Sequence, residues 1–412
     1  MRLSVSPVFS ALLASAVVAE PIVTRSHSSL PKGFVTTKGS QFQLDGKPFV
    51  CVNPYFVGAN SYWLPLLSTQ ADVESTFKQM RASDIKVLRT WGHEAITADE
   101  LSLQRLDNVI ETAGKYGLKV ILTFTNNWSG YGGLELYINH IVGTTNVTHD
   151  LFYTNPKIIT SFQRYVKTIV DRYKNSANIF AWELVNEARC LGDLPAGPNC
   201  VPGSNTIYNW YKQQSDYIRS LYVPLVVPYK NNSPRMYLSD PYHMITTGGE
   251  GHFYWKTAEA ASDYNLNGQA GEDFDLDLTL PNIDFGTYHL YPQSWFIFSL
   301  DYPGSNFTIE AWGKDWILDH ASAAKKANKP VILEEFGVTG LANKTEIYPS
   351  WIELALSEDQ AGILPWQFGA LGLTENGGNK IFKYADALIN GASPNDGYAI
   401  YKNQTALYNL FL

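Results

Sequence analysis

IFAWELVNE, residues 179–187, is a short apolar run that ends in a polar pair, Asn186-Glu187. Upstream of it Ile159, Phe162, Val166, Ile169 and Tyr173 recur at helical spacing, and Asn155-Pro156 supplies a cap and a first turn. A helix feeding a short buried strand is the unit of a parallel sheet. The unit recurs downstream, where an Ala- and Lys-rich helical segment from Trp312 to Asn328 leads into PVILEEFG, residues 330–337. Six further runs read as strands: FVCVNPYF (49–56), IKVLRTW (85–91), LKVILTFTN (118–126), MITTGG (244–249), DFGTYHLY (284–291) and ILPWQFG (363–369). Eight buried strands alternating with helices predict an α/β fold, a single (β/α)8 TIM barrel with elaborated loops at its C-terminal face. There is no internal repeat, low-complexity linker or appended module, so residues 31–412 read as one domain.

Composition bounds the function. Of 412 residues 45% are hydrophobic and 17% charged, which fits a folded, core-forming chain. A net charge of −8 with no basic run excludes a nucleic-acid footprint. Arg2, the apolar segment Leu3–Val18 and the small residue Ala19 form an export signal over residues 1–19, followed by a flexible lead or pro-segment over 20–30. The apolar run is too short and too broken for a membrane anchor, so the expected product is a secreted chain, acting as a monomer, with no membrane partner. Of three cysteines, Cys190 and Cys200 flank a Gly/Pro-rich stretch that a disulfide would staple outside the cell, leaving Cys51 as a buried thiol. Glycosylation acceptors stand at Asn146, Asn231, Asn306, Asn343 and Asn403, and formally at Asn127.

The polar residues of the strands gather at their C-terminal ends, the face on which β/α barrels build active sites. Arg89 closes the second strand, Asn126-Asn127 the third and Asn186-Glu187 the fourth; His289 and Tyr291 close the sixth, Glu335 the seventh and Trp366 the eighth. Any one of these alone is unremarkable; their coincidence on one face is not. Two glutamates across a barrel mouth suit glycoside hydrolysis, which needs one carboxyl protonated and one ionised. Glu183 shares the parity of Glu187 but lies deeper and should pair with a cation in the interior. Glu334 and Glu335 are adjacent, and alternation lets only one face the lumen, without saying which. No G-x-S-x-G elbow, H-E-x-x-H zinc motif or GxGxxG loop is present, so neither cofactor nor metal is expected.

From about Lys32 onward the chain resembles glycoside hydrolase family 5 of clan A, and within it the fungal endo-β-1,4-mannanases. The resemblance is carried by VLRTWG, FTNNWSGYGG, WELVNEARC, GEDFDLDLTLPNIDFGTYHLYPQSW, KPVILEEFG and PWQFG. It implies a retaining hydrolase that cuts internal β-1,4-mannosidic linkages of mannan, glucomannan or galactomannan, with Glu187 as acid/base and Glu335 as nucleophile. Arg89, Asn186, His289, Tyr291 and Trp366 match the shell around the cleaved sugar and Asn127 a cleft residue; Trp128, Arg189 and Trp295 are further candidates for flanking subsites. Arg89 and the Tyr291 hydroxyl should hold Glu335 ionised, while repulsion across the site should keep the proton on Glu187. Ala188, Phe296 and His93 depart from the common family pattern. The alternatives within the family are a β-1,4-glucanase or an exo-acting β-mannosidase.

Overall fold

The computed structural model describes residues 31–50, 55–92, 100–221, 243–295, 308–374 and 391–411. The expectations for the export signal, the lead segment, Cys51, His93, Phe296, Asn231 and Asn306 lie outside these residues. Eight parallel strands form one sheet: β1 (Phe56–Asn60), β2 (Val87–Trp91), β3 (Lys119–Thr123), β4 (Ile179–Glu183), β5 (Met244–Thr246), β6 (Gly286–Leu290), β7 (Val331–Phe336) and β8 (Gly362–Ile363). Their order is β5-β4-β3-β2-β1-β8-β7-β6. The remaining seam, between β5 and β6, is closed by Asp284 N donating to Ile245 O at 2.8 Å, Ile245 N to the Asp284 carboxylate at 2.8 Å, and the Thr246 hydroxyl to Phe285 O at 2.9 Å. The result is a TIM barrel with its helices outside.

The helix before β4 runs Pro156–Tyr173, with the Asn155 side chain accepting from Lys157 N at 2.9 Å. It buries Ile158, Phe162, Val166, Ile169 and Tyr173. Beneath it, Phe124 and Trp182 stack at 5.8 Å on the outer face of the sheet. Fully burying one such side chain stabilises the fold by about 1.5–3 kcal/mol, which is why this apolar shell between strands and helices dominates the packing.

The barrel interior is layered. Its lower end is closed by an N-terminal hairpin, Val35–Lys38 paired antiparallel with Gln41–Leu44, whose Phe42 touches Phe56, Phe180 and Phe285 at 5.0–5.8 Å. On β2 the inward residues climb from Val87, in this apolar layer, through Arg89 to Trp91 at the mouth. The floor of the barrel is therefore dry and apolar, and the layer above it is charged.

Two sequence expectations need correction. The first strand is Phe56–Asn60 and begins at the last residue of FVCVNPYF. Small Gly58 and Ala59 fit the crowded wall, where a side chain on Gly58 would strike Leu364, while Phe49 packs against Phe56 and Phe180 from below. The eighth strand is only Gly362–Ile363; Phe368-Gly369 instead pairs with Ile400-Tyr401.

Candidate active site

Arg89 is the electrostatic centre of the barrel mouth. It is 1% exposed, and all five of its N–H donors are taken. Nε and one terminal nitrogen bind Glu183 at 2.9 and 2.7 Å. The others reach Asn60 Oδ1 at 3.0 Å, Asn186 Oδ1 at 2.7 Å and the Glu335 carboxylate. The deep glutamate Glu183 thus has the cation it needs, because a bare carboxylate buried there would be very costly.

Glu335 also accepts from the Tyr291 hydroxyl at 2.8 Å. Both contacts favour its charged form, yet they do not decide its pKa. Burial raises it, and the charges of His289 and Arg89 with the Tyr291 hydrogen bond only partly offset that rise, so Glu335 sits above the ordinary carboxylate value. One arginine is being shared among several carboxylates.

Glu187 stands opposite, just beyond the end of β4, with its backbone in the left-handed region at φ 58°. That conformation costs of order 1–3 kcal/mol for a non-glycine residue. It is held by Glu187 N donating to Gly248 O at 2.8 Å, while Asn186 N bonds Thr125 O at 2.8 Å. The Glu187 side chain accepts from Trp128 Nε1 at 2.6 Å and contacts His289 Nδ1 at 2.8 Å. Burial alone would depress His289, but Glu335, Glu187 and Glu334 together hold it well above the usual imidazole value.

Atoms of Glu187, His289 and Glu335 lie within 4.8 Å of one another. As a donor set, one imidazole and two carboxylates suit a divalent cation. Here, however, the donor atoms are already engaged within the protein: Arg89 and Tyr291 occupy Glu335, and Trp128 and His289 occupy Glu187.

These groups open onto a cleft of about 850 Å³. One wall is aromatic: Trp366 stacks on Tyr62 with centroids 5.4 Å apart, and Trp91 lies 6.0 Å from Trp366. Trp366 is oriented by its indole N–H donating to Asp396 at 2.6 Å. At the other end the Arg189 guanidinium lies 5.5 Å over both Trp128 and Tyr264. Arg189 forks onto Glu250, which also accepts from Trp295 Nε1 at 3.1 Å. Burial would raise Glu250, but Arg189 and His252 keep it well below the ordinary carboxylate range.

Of the residues singled out from sequence, Trp128, Asn186, Glu187, Arg189, Tyr291, Trp295, Glu335 and Trp366 line this cleft. Arg89 and His289 lie directly beneath it. Asn127 does not line it. It is fully buried, and its side-chain oxygen receives Arg189 N at 3.0 Å and contacts His149 Nε2 at 2.8 Å, so it braces the wall from behind. The same burial leaves no room for a glycan there, whereas Asn146, Asn343 and Asn403 are exposed. Cys190 and Cys200 are joined in a disulfide just after Glu187. Ala188, between Glu187 and Arg189, is buried.

The alternation rule fails on β7. Its register with β6 shifts between Leu333 and Glu335, and both Glu334 and Glu335 reach Arg89 and His289. The sequence reading also missed Trp91, Glu250, Tyr264 and Tyr398. Trp91 was accessible, being two residues beyond Arg89 on the same face of β2. Glu250 follows the fifth strand, where the strand-end rule would place it. Tyr264 and Tyr398 come from loops and carry no local signal.

Residues 93–350 match a family model described as GH family 5 beta-mannosidase-like. The chain is 36% identical to a mannan endo-1,4-beta-mannosidase F from Aspergillus clavatus, over 94% of this chain and 80% of that protein. It is 33% identical to a probable mannan endo-1,4-beta-mannosidase A from Aspergillus flavus, over 97% and 95%. Among solved structures it resembles an endo-1,4-beta-mannanase from Rhizomucor miehei, with a TM-score of 0.70 and 33% identity, covering 92% of this chain and 98% of that one. An endo-beta-1,4-mannanase from Thermotoga petrophila gives 0.69 and 28%, over 87% and 75%.

Proposed function

The chain belongs to glycoside hydrolase family 5, and from that premise we propose that it is a retaining endo-β-1,4-mannanase that cuts mannan-type polysaccharides with Glu187 and Glu335. The observation that carries the retaining mechanism is the carboxyl separation. One oxygen of each glutamate lies within 4.8 Å of the other, an approach that fits carboxyl groups roughly 5–5.5 Å apart, as in retaining enzymes, better than the ~6.5–9.5 Å that leaves room for water. The mannan preference and internal cleavage are supported by the named activities of the relatives, each matched over most of its length.

In the first step a Glu335 oxygen attacks the anomeric carbon while Glu187 gives its proton to the glycosidic oxygen. The sugar–oxygen bond breaks and an α-linked mannosyl-enzyme forms. In the second step Glu187 removes a proton from water, which displaces Glu335 and returns the β-configured product. Asn186, fixed by Arg89 and by Asn126 Oδ1 at 2.9 Å, is placed to bind the 2-hydroxyl of the reacting sugar. Trp366 forms the platform beneath that sugar, and the Trp128–Arg189–Trp295 wall holds the residues on the leaving-group side. With an export signal at the N-terminus and a disulfide beside the site, the enzyme works outside the cell.

Reducing-sugar release from mannan, glucomannan and carboxymethylcellulose tests the substrate, with chromatography of early products. The expected result is mannan cleavage to mixed oligosaccharides; faster release from carboxymethylcellulose, or mannose alone as the early product, overturns it. Proton NMR of the first product should show the β-anomer, and an initial α-anomer rules out double displacement.

A further inference from the structure

Beneath the two carboxylates that face the cleft lies a third that the mechanism does not use. Glu334 is fully buried, and the register shift on β7 turns it toward the interior beside its neighbour rather than away from it. Its Oε2 lies 3.5 Å from His289 Nε2 and 3.5 Å from Arg89 Nε. Arg89 has no donor left for it, since all five N–H groups are held by Glu183, Asn60, Asn186 and Glu335. Glu334 Oε1 has no hydrogen-bonding partner among the described residues. The one donor within reach of Glu334 is therefore the far nitrogen of the imidazole whose near nitrogen touches Glu187 at 2.8 Å.

Building on the reading of Glu187 as the acid/base, we infer that Glu334 is a positioning residue, which acts through His289 to keep the proton of the His289–Glu187 pair in place as the pH rises. Glu187 and His289 Nδ1 share one proton along their contact. With the proton on Glu187 the imidazole is neutral and gives its Nε2–H to Glu334; with the proton on Nδ1 the imidazole is cationic and Glu187 is ionised. A negative Glu334 strengthens the hold of both arrangements on that proton. The charged groups coupled to His289 are Glu187 from just beyond β4, Glu334 and Glu335 from β7 and Glu272 from the segment between β5 and β6, with Arg89 from β2 contacting the same β7 carboxylates; Tyr291 follows it on its own chain. Of these, Arg89 lowers the pair's affinity for a proton and the carboxylates raise it. Burial, with repulsion from Glu183, pushes Glu334 itself up to about 7, so its charge develops in the range where an acid catalyst would otherwise lose its proton. Glu334 thus affects the alkaline limb of the activity profile and leaves the acid limb alone.

The test is the pH dependence of kcat/KM on mannan for the wild type and Glu334→Gln, whose amide oxygen still accepts from Nε2–H. The alkaline limb should move to lower pH by about one unit, the size expected when a charge within ~4–6 Å is removed, with the acid limb and KM little changed. A superimposable profile, or activity scaled equally at every pH, overturns the inference, because a purely structural role would do no more than that. Should the variant fold poorly, ¹⁵N spectra of the His289 ring in the wild type decide the matter. Titration of Glu334 between about pH 6 and 8 should perturb Nε2 ahead of Nδ1, and an Nε2 resonance indifferent to pH over that range overturns the inference equally. A wild type inactive on mannan would instead remove the functional reading on which the inference rests.

Discussion

Glu187 and Glu335 are the same residue type at the same barrel mouth and differ in what holds them: an indole N–H and the closer contact with the His289 imidazole for one, a guanidinium and a phenol for the other. The roles proposed for them separate by substitution. Glu335→Ala removes the attacking atom, so turnover should collapse on every substrate whatever its leaving group. Glu187→Ala removes the proton donor, a loss of about 10²–10⁴-fold on mannan, but an aryl mannoside with a good leaving group should still be cleaved in its first step. Azide should rescue the Glu187 variant by attacking the trapped intermediate to give a β-mannosyl azide, and the Glu335 variant from the opposite face to give the α-azide. Anomeric assignment by NMR checks this, and α-azide from the Glu187 variant would reverse the roles. Much of this site was legible in the sequence because its members close strands that also carry clear apolar runs. Asn127 was misplaced because a polar strand-end residue can serve the scaffold as well as the cleft, and this one is buried against Arg189 N and His149. Glu334 was misjudged because alternation presumes a regular strand, and β7 is not regular where it matters.

Elements whose pattern is local were read most accurately. The helix Pro156–Tyr173 combines a capping asparagine, a first-turn proline and an apolar stripe, all visible without the fold, although the stripe's fully buried first member is Ile158 and Ile159 is only half-buried. Replacing Asn155 with Ala should cost about 1 kcal/mol in denaturant unfolding, as loss of an N-cap generally does. The first strand was read too early because Phe49 is as apolar as a strand residue. Only the tertiary structure reveals that it packs under the barrel rather than in its wall. The loop that follows Glu187 shows the converse, a spacing that foretold a link. Cys190 and Cys200 close a short loop whose Cys190 N also donates to Ala270 O at 2.7 Å, tying the Arg189 wall to the loop carrying Tyr264. With three cysteines and one bond, the denatured, unreduced protein should show a single titratable thiol. Changing both bonded cysteines to Ser should lower unfolding stability by roughly 2–3 kcal/mol through the freer unfolded chain. Three titratable thiols would remove the bridge.

Across the whole molecule, burial acts on titratable groups in two opposing directions, and their balance sets how stability depends on pH. Buried histidines resist protonation: His149 and His243 are lowered to about 4 and His320 to about 3, in each case chiefly by burial. The unfolded chain binds those protons near 6.5 and the folded chain does not, so their contribution is lost as pH falls from about 6.5 toward 4. Glu272 behaves oppositely. Burial, with repulsion from Glu250, raises it to about 8, although it accepts from the Tyr211 hydroxyl at 3.1 Å and from Gly251 N at 3.2 Å. The folded state keeps this proton while the unfolded state has released it above about 4.3, so the stability it confers is complete below that value and is lost as pH rises through 8. Between about pH 7 and 8 these three histidines are largely neutral in both states, and Glu272 and Glu334 are among the raised groups that contribute to the slope. Each contributes at most about 1.4 kcal/mol per pH unit. Glu272→Gln keeps the shape of the side chain and its acceptor oxygen but cannot ionise. Unfolding in urea should therefore show the wild type losing stability from pH 7 to 8, and the variant losing distinctly less. At pH 5, where the folded wild type carries a neutral Glu272, the two should differ much less than at pH 8. Parallel curves across the whole range would mean that Glu272 is ionised in the folded protein, its charge held by more than the Tyr211 and Gly251 hydrogen bonds.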